Sequence, residues 1–167
     1  MYILQSFLNT ASMFFFGNSI TYFTYSTIAF IFKLIKEIIK KKEFALFCGS
    51  YTYWPNKIAI NRIIRQKELI KKKFPKIKII FTGEGVPSFK DKDILNLGVI
   101  KKSNLIWLIK NCLFFYAPMP KAPGTKIKIL ESIYYGATTI CSKEAIIGIQ
   151  KIKKLNSIII TSGNKIL

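Results

Sequence analysis

From Glu43 onward the chain alternates between short continuous apolar runs and longer stretches whose apolar residues recur every three or four positions. "FALFCGS" is an apolar run closed by Gly49 and Ser50, the pattern of a buried strand leading into a loop. "PNKIAINRIIRQKELIKKKF" follows with Ile60, Ile63, Ile64 and Ile70 at helical spacing, and Pro75 stops it. The same rhythm then predicts a strand and glycine loop in "KIKIIFTGEG", a shorter strand in "LNLGVI" and a helix in "SNLIWLIKNC" with Ser103 as its N-cap. "LFFYAP" reads as another buried strand, "TKIKILESIYYG" as a helix, "TTIC" and "SIIIT" as further strands. Strands separated by helices at this spacing predict an α/β domain, a Rossmann-like parallel sheet with helices on both faces. Ligands of such a sheet sit at the carboxyl ends of its strands.

That rule directs attention to "APGTKIKILESIYYGATTI", Ala122 to Ile140, which follows the strand ending at Pro118. Gly124 lets the backbone come close to a ligand, and the N–H groups of Thr125 and Lys126 at a positive helix end suit a phosphate. Glu131 falls about two turns in, within reach of a ribose carried on that phosphate, whose two hydroxyls a carboxylate accepts. The competing reading is an ordinary ion pair between Glu131 and Lys128, three residues back on a solvated face.

Composition narrows the chemistry. Twenty-seven basic residues against eight acidic ones give a net charge of +19, yet only Arg62 and Arg65 are arginine and lysine accompanies isoleucine throughout. This reads as a general drift toward Lys and Ile, so no nucleic-acid partner is expected. Cys48, Cys112 and Cys141 are widely spaced and histidine is absent, which fits a reducing, cytoplasmic setting and offers neither a zinc set nor a Ser-His-Asp triad. Neither a metal nor another cofactor is expected.

Residues 1–42 form a separate unit in this reading, ahead of a domain over 43–167. The first thirty-two residues carry no charge, and Lys33, Lys36 and Lys40 to Lys42 follow. Met13 to Phe32 is long enough to cross a bilayer, with the lysines holding the next domain at the cytoplasmic face. Gly17, Asn18 and Ser19 dilute the window, so the alternative, a remnant of a preceding domain, stands beside it. "FKLIKEIIKKK" has the spacing of a short amphipathic helix suited to a linker or a membrane surface.

The order "GSYTYWPN", "FTGEG", "NLGVI", "PGTKIKILESIYYGATTI" and "AIIGI" resembles the C-terminal half of group 1 glycosyltransferases with the GT-B fold, over about three quarters of the chain. The resemblance implies a domain that binds a nucleotide-diphosphate-sugar donor. It implies Glu131 at the donor ribose and Gly124, Thr125 and Lys126 at the phosphates, with Lys126 stabilising the leaving group and Lys128 beside it. It further implies Gly49 and Ser50 against the diphosphate, Asn56 and Lys57 in a phosphate-binding region, and Gly98, Val99 and Ile100 flanking the base. The implied partner is a sugar or lipid-linked acceptor, in cell-envelope polysaccharide or glycolipid synthesis. Two departures qualify this. Where many relatives carry a sugar-contacting acid eight positions before the ribose glutamate, this chain has Pro123, and forty-three residues cannot build the acceptor-binding half. The expectation is therefore a donor-binding fragment, completed by a separate acceptor-domain chain. The rival classes are a membrane-anchored scaffold and a basic nucleic-acid binder.

Overall fold

The computed structural model describes residues 43–161; the expectations for 1–42, the membrane span and the lysine-flanked linker among them, lie outside the described residues. Six strands form one sheet: β1 (Phe44–Cys48), β2 (Lys78–Thr82), β3 (Ile94–Asn96), β4 (Phe114–Ala117), β5 (Thr139–Ser142) and β6 (Ile158–Thr161). Three α-helices connect them: α1 (Trp54–Lys73), α2 (Lys102–Asn111) and α3 (Ile127–Tyr134). Every pairing is parallel and the order is β3-β2-β1-β4-β5-β6, so this is the expected Rossmann-like α/β sheet. From β1 the chain works outward through β2 to β3, then returns to lay β4 on the other side of β1. The carboxyl ends of β1 and β4 therefore flank the switch point where such sheets open a crevice.

The apolar runs became strands because they are buried on both sides of the sheet. Phe44, Leu46, Phe47, Ile79, Ile80, Phe81 and Phe115 are each 2% exposed or less, and helices cover both faces. On one side the Tyr116 hydroxyl of β4 meets Gln66 of α1. On the other, the Lys128 ammonium of α3 lies 4.6 Å from the centre of the Phe47 ring. Ile60, Ile63 and Ile70 are buried, as their spacing predicts, and Ile64 lies at the edge of the core.

Several boundaries differ from expectation. α2 begins at Lys102 with Lys101 as N-cap, so Ser103 sits inside the first turn and caps nothing. The carbonyl of Lys101 accepts the bonds from the N–H groups of Asn104 and Leu105, which fixes the start two residues earlier. β3 starts at Ile94 and stops at Asn96, because the Asn96 side chain turns the chain by accepting from the Gly98 N–H at 2.9 Å. α3 starts at Ile127 with Lys126 as N-cap. Between β5 and β6 the chain makes two short 3-10 turns, Lys143–Ile146 and Gln150–Lys154. Among the described residues no helix is long and apolar enough to cross a membrane.

Candidate functional site

The loops at the carboxyl edge of the sheet are tied to one another by their backbones. The Gly49 N–H donates to the Thr82 carbonyl at 2.9 Å, and the Gly83 N–H and Thr82 hydroxyl both donate to the Gly98 carbonyl at 2.8 Å. Contact between the first two loops is so close that a Cβ on Gly83 would stand 2.2 Å from the Gly49 carbonyl oxygen. Gly49 is equally confined, since its Cβ would lie 2.5 Å from Lys128 Nζ and 2.6 Å from Asn56 Nδ2. With φ at 152° and 142°, both positions accept glycine and strain any other residue.

Across the switch point, α3 sends a lysine into this loop. Lys128 Nζ donates to the Cys48 carbonyl at 2.8 Å and to Asn56 Oδ1 at 2.6 Å. Asn56, buried at the start of α1, passes the constraint on by donating from Nδ2 to the Ser50 carbonyl at 2.8 Å. One cation thus fixes the β1–α1 loop from the opposite half of the sheet. Burial holds the Lys128 pKa down to about 8, a shift the Cys48 thiol opposes. The Cys48 thiol is itself pushed up by burial, against the pull of the Lys128 charge.

The β4–α3 loop is held at its root from two sides, by Arg62 Nη1 donating to the Pro118 carbonyl at 3.1 Å and Ser142 Oγ to the Met119 carbonyl at 2.5 Å. Lys126 closes the loop on itself. Its ammonium is turned inward, only 6% of the residue is exposed, and it donates to the carbonyls of Ala122, Pro123 (3.4 Å) and Gly124 (2.7 Å). Gly124 and Thr125 are exposed at the rim. Beyond them, Lys121 to Thr125 face Ile147 and Gly148 across a cavity of about 570 Å³, and Pro123 forms part of its wall.

Glu131 stands five residues past the N-cap, about 7.5 Å along the helix axis. The later helix start makes this shorter than the two turns expected. Its carboxylate does pair with a lysine, but with Lys102 of α2 rather than Lys128. That hydrogen bond raises the Lys102 pKa. With Lys102 half exposed and Glu131 one-third exposed, the pair lies open to solvent.

The structure therefore brings Gly49, Ser50, Asn56 and Lys128 into one bonded cluster and places Gly124, Thr125, Lys126 and Glu131 along the neighbouring helix start. Gly98 joins through Gly83; Val99 is exposed and Ile100 packs against the core. Lys57 is turned aside, its ammonium 5.5 Å from the centre of the Tyr51 ring. Sequence reasoning missed Gly83 and Lys102. The "FTGEG" loop was a signal for the first, while nothing local marks the second as a partner of Glu131. Among the described residues no group of three His, Cys, Asp or Glu side chains is placed to hold a metal ion.

No family profile matches the chain, and no curated protein is similar to it in sequence. Solved structures are. UDP-GlcNAc 2-epimerase from Methanocaldococcus jannaschii superposes with a TM-score of 0.56 at 14% identity, covering 83% of this chain and 39% of that one. For the UDP-forming α,α-trehalose-phosphate synthase from Burkholderia xenovorans the values are 0.58, 9%, 97% and 40%. For Anabaena HepE, in complex with UDP and glucose, they are 0.54, 12%, 84% and 39%. This chain has the fold of one half of a GT-B protein. At such identities the likeness is one of fold, and the GT-B half spans about two-fifths of each of these neighbours.

Proposed function

We propose that this GT-B half binds a nucleoside-diphosphate sugar in the crevice between the β1 and β4 loops, as the donor-binding part of a glycosyltransferase. The observation that carries the reading is Lys128. It crosses the switch point to brace a glycine loop with no room for a side chain, one turn before a solvent-facing carboxylate on the same helix. Phosphate oxygens find there the positive end of α3 and the Lys128 charge, and Glu131 receives the ribose hydroxyls by exchanging its bond with Lys102. The neighbours named above are a UDP-GlcNAc epimerase, a UDP-forming synthase and a protein in complex with UDP, which makes uridine the base to try first, flanked by Gly98, Val99 and Ile100.

As the sugar leaves, negative charge builds on the departing diphosphate. The α3 N-terminus, Lys128 and the loop held by Lys126 stabilise it as fixed dipoles and charges, with no metal required. In this reading Lys126 acts by shaping the turn that meets the phosphate. The sugar lies toward the cavity at Pro123, whose wall offers no carboxylate at that position. Activation of the acceptor, a sugar or lipid-linked hydroxyl, falls to groups outside the described residues.

The test is thermal unfolding of the chain with UDP, GDP or ADP, alongside Glu131→Ala. A ligand at a hundred times its dissociation constant stabilises the fold by about 2.7 kcal/mol, several degrees here. Stabilisation by one nucleotide, lost in Glu131→Ala, supports the reading. A cooperative transition that none of the three moves would sink it.

A further inference from the structure

The edge of the sheet opposite the crevice carries a second feature. In an all-parallel sheet every strand begins at one edge, and the segments feeding those strands bring lysines to it. Lys72 and Lys73 end α1, Lys76 precedes β2, Lys92 precedes β3, Lys110 lies in the last turn of α2 and Lys154 ends the turn before β6; all six are exposed. β1 is itself fed by Lys40 to Lys42 in the sequence. The carboxylates at this edge are consumed internally: Asp91 pairs with Lys67, and Asp93 bridges Lys71 and Lys78. Glu68 lies more than a turn up α1, paired with Lys67, and Glu43 is half-buried. No ion pair among the described residues involves any of the six lysines.

Helix dipoles do not account for this excess. A helix C-terminus carries about half a negative charge, whereas α1 alone ends in three lysines, of which only Lys71 has a carboxylate partner. Set among these charges are Tyr134, 82% exposed at the end of α3, and Leu155, 45% exposed before β6. Lysines around an exposed tyrosine and leucine have the composition of a face that meets lipid headgroups. No arginine stands among them, and Phe74 at this edge is turned inward onto Phe114, with ring centres 5.7 Å apart. In the sequence Lys40 to Lys42 stand directly before Glu43, and the first thirty-two residues carry no charge.

We infer that the strand-start edge of the sheet is a docking face for an anionic bilayer surface, which holds the crevice at the opposite edge turned away from the membrane. The full chain would be floated, without nucleotide, with phosphatidylcholine vesicles and with vesicles in which about a third of the lipid is phosphatidylglycerol. The quantity read is the ratio of the two partition coefficients, which cancels any contribution of the uncharged segment common to both. Lys72→Gln, Lys73→Gln and Lys76→Gln together lower that ratio about tenfold or more. Lys57→Gln, Lys121→Gln and Lys143→Gln, the same charge removed from the crevice edge, lower it less than about twofold. All six positions are exposed, and an unchanged unfolding transition confirms that both triple variants are folded. Equal losses in the two variants, or no loss in the first, overturn the assignment. So does tighter binding to a random-sequence DNA duplex than to the anionic vesicles at the same salt.

Discussion

Replacing Lys128 by methionine keeps the apolar stem over Phe47 and removes the charge and its bonds to Cys48 and Asn56. Two acceptors lose their donor, which costs about 1–3 kcal/mol at any pH. The pH dependence isolates the charge. Burial depresses the Lys128 pKa from 10.5 to about 8, so between these values the unfolded chain holds a proton that the folded one has released. Stability contributed by this group therefore rises with pH across that window, by about 2 kcal/mol between pH 7 and pH 9.5. The other lysines titrate in both proteins and cancel in the difference. The assay is urea unfolding of the chain and of Lys128→Met at the two pH values, comparing the change in each. If the native chain gains nothing over the variant on going to the higher pH, Lys128 does not hold a buried charge, and its placement as the brace of the crevice is wrong.

Four further outcomes follow. Glu131→Ala and Lys102→Ala shift unfolding by no more than about 1 kcal/mol, since the pair is open to solvent, and only the first abolishes nucleotide stabilisation. Gly83→Ala costs about 2–5 kcal/mol in urea unfolding, because the new Cβ meets a backbone oxygen that cannot withdraw. Tyr116→Phe leaves the buried Gln66 carbonyl without its donor and costs about 1–3 kcal/mol by the same measurement. Burial works to raise the Asp93 pKa, but bonds from Lys71 and Lys78 outweigh it and hold it at about 2. Its contribution is complete above the ordinary carboxylate pKa and is lost as pH falls toward 2, so acid unfolding of Asp93→Asn lacks that part of the transition.

The elements that could be read from sequence are those whose burial is two-sided or strictly periodic. β1, β2 and β4 are apolar runs because both faces are covered, and α1 keeps its isoleucines on one side. Where local chemistry competed with tertiary contacts, the reading slipped. Ser103 looks like a cap by residue type, yet the turn was closed by Lys101, which no capping preference favours. Glu131 and Lys128 share a helix face in spacing, but each found its partner on another element, Lys102 and the β1 loop. The position of the crevice was legible because a parallel sheet fixes it by topology. The orientation of Lys126 was not, since a lysine folding back on its own loop leaves no trace in the pattern.

The central place of β1 also bears on how the molecule assembles. Among the described strands β1 is the first to leave the ribosome, and it can pair early with β2, but Ala45 on its other edge waits for Phe114. Lys128, which locks the loop after β1, arrives later still. Such long-range pairing is slow because loop closure precedes any reward. The half made of β1, β2 and β3 can therefore gather before the crevice exists, and the last native contacts to form are those that span the switch point.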